Sequence, residues 1–257
     1  VILLIVCLAL APSCASNLGV ATQDREYSAR VTALLNLYNA NTLESLDEFD
    51  LEMRNLQKDY PARDAYQFTV MSIIRREKSG YVETARVLAT ELNNGSASDD
   101  YREWARGFLF RLGGTNEPLS LRFAATNGTE VDFSQMRGRV VLVDFWASTC
   151  PACLEELPIL REVYTKYHSQ GLEIIGINCD ADERAMKRFL SKHDSKWPQY
   201  FDGNRLKFSR VTKAFGIGSI PHMLLVDQKG FLRNARIRPD DNLASSIAAL
   251  ITEGAGN

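Results

Sequence analysis

Cys150 and Cys153 stand three residues apart in the stretch VVLVDFWASTCPACLEELP, residues 140–158. Disulfide exchange needs a thiolate. A free cysteine titrates near ~8.5, and a helix N-terminus can lower that to roughly 3.5–7.5. The apolar run VVLVDFWA ends just before the pair, and Leu160, Val163, Tyr164 and Tyr167 recur at helical spacing after it. This pattern predicts a helix from about Cys150 to Ser169. Cys150 then lies at the helix N-terminus, where unpaired N–H groups and the helix dipole favour an anion. Cys153, one turn on, can approach Cys150 and close a disulfide. Cys150 is the attacking thiol in this reading and Cys153 the resolving thiol. It expects Cys150 to be exposed and Cys153 to be covered. Pro151 pre-sets the first helical turn.

Asp144 lies inside the apolar run, six residues before Cys150. A lone carboxylate in a buried strand is costly unless paired or protonated, and burial raises its pKa. Beneath the more buried cysteine it can accept and return the proton that Cys153 must lose to resolve a mixed disulfide. The plainer alternative is a hydrogen-bonded acid at a strand end. Other uses of C-x-x-C fit less well. Covalent haem needs a histidine at 154, which is Leu154. A zinc site needs a second ligand pair, which is absent. A peroxiredoxin-type peroxidase needs a proline at 143, which is Val143.

The elements around the pair read as an α/β unit over residues 115–257. LSLRFAATNGTEVDF predicts a hairpin turning at Asn127–Gly128. VVLVDFWA is a continuous apolar strand, as in a sheet covered on both faces. LEIIGINC is the next strand, and Met186, Phe189 and Leu190 mark an amphipathic helix. A shorter helix covers about Arg205–Phe215. HMLLVDQKGFLRNARIR reads as strand, turn and strand, and Leu243, Ile247, Leu250 and Ile251 mark a last helix. The order predicts a mixed sheet with flanking helices.

Residues 17–112 carry helical spacing and no strand signal. Asn41 and Glu44 suit a capping box, Pro61 suits the first position of a third helix, and a fifth helix carries Tyr101, Trp104, Ala105, Phe108 and Leu109. This segment reads either as a small helical bundle or as a partner-binding module. Residues 1–16 open with VILLIVCLALA, which has the length of a signal-peptide core and is too short for a membrane helix. Cys14 offers a lipid-anchor site, with secretory cleavage near Ala15 as the alternative. The 257 residues carry 45% hydrophobic and 24% charged side chains, a net charge of −2 and three histidines. The absence of a basic excess argues against a nucleic-acid partner.

A strand ending in FWA, a C-P-x-C, a glutamate three residues after the second cysteine, a proline two further on, and the later IPHMLLVD together resemble the TlpA/ResA-like branch of the thioredoxin superfamily. These are exported thiol–disulfide oxidoreductases. The resemblance covers about residues 115–253. The 68 residues from Cys153 to Pro221 leave room for the extra strand and helix of this branch. It implies a thioredoxin-like fold preceded by the helical segment. Pro221 would occupy the cis-proline loop, set against the cysteine pair and leaving the Ile220 backbone free to pair with an extended substrate. Trp146 would shield the disulfide, and Pro151 would complete the substrate side. Glu156 occupies the branch's glutamate position, with an exposed helix carboxylate as its plainer reading. Asp144 occupies a position where thioredoxins carry an acid and TlpA-like proteins often a neutral residue, so this chain holds both acids. Pro158 would interrupt the active-site helix. Cys179 reads as a buried core thiol or a third redox partner, and His222 could line the groove.

The implied function is an exported oxidoreductase of the periplasm or the outer face of a membrane. It would reduce disulfides of extracytoplasmic proteins and be re-reduced by a membrane electron-donor protein. The Cys150–Cys153 disulfide would serve with no metal or other cofactor. The same chemistry serves a thiol oxidant or isomerase. A reading from another class is a partner-binding protein with a structural or sensing disulfide.

Overall fold

The computed structural model describes residues 18–255 except 41, 62, 114–116, 194–195, 204–208 and 240. The apolar leader, Cys14 and Asn41 lie outside the described residues. Two compact units divide between Ala97 and Ser98.

The first unit contains α1 (Leu18–Ala40), α2 (Leu43–Asp59), α3 (Tyr66–Lys78) and α4 (Val82–Asn94). Tyr27, Val31, Leu34 and Tyr38 bury one stripe of α1 against Phe49, Met53 and Leu56 of α2. The cap of α2 is Thr42. Its hydroxyl accepts the Ser45 N–H at 3.0 Å, and Ser45 Oγ accepts the Thr42 N–H in return. The box therefore sits one residue beyond the Asn41–Glu44 expected from the sequence. Pro61 stands in the turn before α3 rather than in its first position. Buried Arg76 is held by Asp50, at 2.7 Å, and by Asp47, at 2.7 Å. A buried charge is tolerable only with such pairing.

The second unit begins with α5 (Asp99–Gly113), followed by the hairpin β1 (Arg122–Ala124) and β2 (Glu130–Asp132). Then come β3 (Val140–Trp146), α6 (Pro151–Tyr167), β4 (Leu172–Asn178), α7 (Glu183–His193), β5 (Gln199–Phe201), α8 (Arg210–Ala214), β6 (His222–Val226), β7 (Leu232–Ile237) and α9 (Asp241–Ala255). The five-stranded sheet runs β5-β4-β3-β6-β7. β3 pairs parallel with β4 and antiparallel with β6, so the sheet is mixed as expected. The short helix expected over 205–215 begins at Arg210, and residues 204–208 lie outside the description. Pro158 does not interrupt α6, which runs through it unbroken.

Every residue of β3 is buried, and the period of two divides them between two cores. Val141, Val143 and Phe145 face Phe123, Val131, Phe215 and Ile217. Val140 and Leu142 face Leu160 and Val163 of α6 and Leu243 and Ile247 of α9. The same alternation turns Asp144 toward the face that α6 covers.

α5 belongs to this unit, although the sequence reading ends its helical segment at residue 112. The reason is visible at Gly107. A Cβ there would lie 2.0 Å from the Lys213 carbonyl oxygen and 2.7 Å from the Gly216 nitrogen. Mid-helix glycine costs about 1 kcal/mol relative to alanine, and here it permits backbone-to-backbone contact.

Candidate active site

The end of β3 and the start of α6 build the site. Cys150 is the N-cap of α6, in extended backbone, and Pro151 opens the helix. The Cys153 N–H donates to Cys150 Sγ at 3.3 Å. A sulfur in that position receives the helix's unpaired donors, which is the arrangement that stabilises a thiolate. Cys150 and Cys153 form a disulfide with their Cα atoms 5.3 Å apart.

Both cysteines are covered, Cys150 at 3% exposure and Cys153 at 6%. The expected contrast between an exposed Cys150 and a covered Cys153 is therefore not found in the closed disulfide. Trp146, Ala147 and Met186 pack with them, and Ile220 and Phe201 lean on the group. Helix position alone carries no information about this cover. The Ile220–Pro221 bond is cis, and residues 218–221 are half-buried beside the pair.

Asp144 and Cys153 line one small cleft of about 20 Å³, with Trp146, Leu154, Leu157, Trp197 and Gln199. That is room for about one water molecule. Among the described residues, no hydrogen bond reaches the Asp144 carboxylate. Burial, reinforced by the charge of Glu156, pushes its pKa up to about 8. The plainer reading of a hydrogen-bonded strand-end acid is not what the structure contains. Glu156 is half-buried on the next turn of α6. Its Oε2 is buried without a partner, and its Oε1 lies 3.7 Å from Arg238. Burial raises its pKa, while Arg238 pulls the other way.

Sequence reasoning missed the residues that hold this geometry. Trp146 Nε1 donates to Gln199 Oε1 at 2.9 Å. Gly176 makes room for that amide, because a Cβ there would lie 2.1 Å from the same oxygen. The buried Asp180 carboxylate accepts the Ser148 N–H and hydroxyl at 3.1 Å and the Asn178 amide at 2.9 Å. This ties down the loop between Trp146 and Cys150. The only local hint was an acid directly after a strand, in Asn178-Cys179-Asp180. Trp197 Nε1 is buried without a partner at the cleft. Cys179 is a buried free thiol within the core, its pKa pushed well up by burial and by nearby Asp202. His222 turns inward rather than into a groove, with Nε2 2.8 Å from the Ala235 carbonyl. Burial, followed by the charge of Arg111, holds its pKa well below the usual range.

The thiol-disulfide oxidoreductase ResA of Bacillus cereus is 31% identical over 103 residues, 40% of this chain and 57% of that protein. ResA of Bacillus subtilis is 28% identical over 105 residues, 41% of this chain and 56% of that protein. The chain thus spans little more than half the length of these relatives. The crystal structure of the thioredoxin domain of a Bacteroides vulgatus thiol-disulfide oxidoreductase aligns at 26% identity and TM-score 0.47, covering 53% of this chain and 97% of that one. The Redoxin family model matches residues 114–251, the stretch that carries the cysteine pair, Asp144 and Pro221, and the chain belongs to the Redoxin family.

Proposed function

We propose that the chain is a thiol–disulfide oxidoreductase that reduces disulfides of exported proteins through Cys150 and Cys153. The observation that carries this reading is the cysteine pair at the N-terminus of α6, sharing a cleft with a buried carboxyl whose pKa burial pushes up to about 8. In the dithiol form, Cys150 thiolate attacks a substrate disulfide. One substrate sulfur leaves and takes a proton, and a mixed disulfide remains on Cys150. Cys153 then gives its proton toward ionised Asp144 and attacks Cys150 Sγ. The second substrate sulfur leaves, so two electrons have passed to the substrate and the Cys150–Cys153 bond has formed.

Re-reduction uses the opposite protonation state. At neutral pH most Asp144 is protonated. When an electron donor's thiolate attacks Cys150, Cys153 leaves and can take that proton. Glu156 lies near enough to shift Asp144 and forms part of the same acidic group. Ile220 and Pro221 supply the substrate-facing loop, Trp146 covers the disulfide, and Pro151 holds the first turn beneath it.

Likeness to ResA and the apolar leader support an extracytoplasmic site, with a membrane electron donor as partner and Cys14 as a possible anchor point. Among the described residues no helix is long and apolar enough to cross a membrane.

Turnover tests the reading. With dithiothreitol as electron source, the full chain should reduce many equivalents of a disulfide-bridged peptide, well above the uncatalysed rate. A structural or sensing disulfide would consume no more than one equivalent. An oxidant would instead accelerate peptide oxidation from its disulfide form.

A further inference from the structure

The geometry points to α5 as a positioning element of the redox site: Trp104 and Arg111 hold the loop that presents Ile220 and Pro221 to a protein substrate. This inference rests on the oxidoreductase reading above. α5 ends at Gly113, and the family match begins at residue 114. The helix is therefore an addition to the family domain, packed into it chiefly at one place.

That place is the run from α8 to the substrate-facing loop. Trp104 is buried, and its Nε1–H donates to the Ile217 carbonyl at 3.2 Å. Arg111 is buried, with Nε donating to the Phe215 carbonyl at 2.9 Å and Nη1 reaching the Ala235 carbonyl at 3.4 Å. The Ala235 carbonyl also faces His222, the residue after Pro221. At the helix start, Lys213 Nζ meets Asp100 at 2.7 Å and Glu103 at 2.8 Å. Between these anchors the two backbones interlock. Gly107 lies against Lys213 and Gly216. Gly216 has φ +57°, and a Cβ there would lie 2.3 Å from the Phe108 nitrogen.

The loop needs an external hold. Residues 215–217 are buried, whereas 218–221 are only half-buried. Gly218 restricts the backbone little. Ile217 is thus the last buried residue before β6 begins at His222. A donor on the Ile217 carbonyl sets where the next three residues emerge beside Cys150. Trp104 and Arg111 touch neither cysteine, so they should govern how an extended peptide docks while leaving thiol reactivity alone.

The test uses the full chain with Trp104→Phe, which keeps an aromatic ring against Phe108 and removes the donor. Two substrates are compared, a small aromatic disulfide and a disulfide-bridged peptide. The expected result is a KM for the peptide raised about fivefold, the worth of one buried hydrogen bond, with kcat unchanged. The rate constant with the small disulfide should stay within about twofold. Arg111→Lys, which keeps the charge and loses the two-carbonyl reach, should shift the same KM in the same direction. Thermal melting checks that both variants remain folded. A lowered melting temperature with unchanged KM in both variants would reduce α5 to a stability element and overturn the inference. Equal losses on both substrates would also overturn it, because they would place the effect on the thiols. Failure of the wild-type chain to turn over either substrate would refute the oxidoreductase reading itself, and the inference with it.

Discussion

Cys150→Ser should lower reduction of a disulfide-bridged peptide by more than about 10⁴-fold in kcat/KM at pH 7. A serine hydroxyl in the same N-cap position keeps the hydrogen bond from the Cys153 N–H and the start of α6. It does not attack a disulfide sulfur. Cys153 lies one turn into α6, away from the N-cap position that favours a thiolate, and faces the cleft shared with Asp144. It should not substitute as the first nucleophile. Steady-state assays with dithiothreitol as electron source measure the loss directly. Retention of a tenth or more of wild-type turnover would mean that Cys153 attacks first.

Asp144→Asn should slow resolution of the mixed disulfide about 10- to 100-fold near pH 7–8, the lower range for removing a general acid–base group. The slowing should fade at higher pH, where Cys153 ionises without help. Stopped-flow measurement of substrate release against pH checks this. The same substitution should change stability in a defined direction. An aspartate carboxyl titrates at ~3.9 in an unfolded chain, and in the folded chain burial pushes the Asp144 pKa up to about 8. Between those values the folded state binds more protons than the unfolded state. Its stabilising contribution is fully present below the lower value and is lost as pH rises toward the upper one, at most about 1.4 kcal/mol per pH unit. Wild-type stability to denaturant should therefore fall from pH 5 to pH 8 more steeply than that of Asp144→Asn. Parallel curves for the two proteins would mean that Asp144 is ionised throughout and has no part in proton transfer.

What the sequence made legible was local. The Cys150–Cys153 spacing, Pro151 after the cap and the unbroken apolar run of β3 each specify a backbone geometry within a few residues. Asp144 stood out because an acid in such a run contradicts its neighbours, and the alternation of β3 sends it to the face under α6. What stayed hidden depends on residues that meet through space. Gln199 reaches Trp146 across β4 only because Gly176 leaves it room, and neither type nor spacing marks that pairing. Asp180 serves the loop before Cys150 from the far end of β4. The helical character of α5 was plain, but its allegiance was not. Helical spacing shows that Trp104 and Phe108 share a buried face without naming what covers it. The exposure expected for Cys150 failed for the same reason, since Trp146 and Ile220 arrive from other elements. The cap of α2 slipped by one residue because Thr42 and Ser45 satisfy each other as well as Asn41 and Glu44 would.

The most direct test of the central claim is mass spectrometry of adducts trapped by Cys153→Ser. This variant can attack but cannot resolve. With peptide disulfide in excess, the expected product is one mixed disulfide per chain, mapped to Cys150 and dissolved by added dithiothreitol, while Cys150→Ser gives almost none. Equal trapping by both variants would contradict the assigned roles, and trapping by neither would contradict thiol–disulfide exchange as the function of the pair.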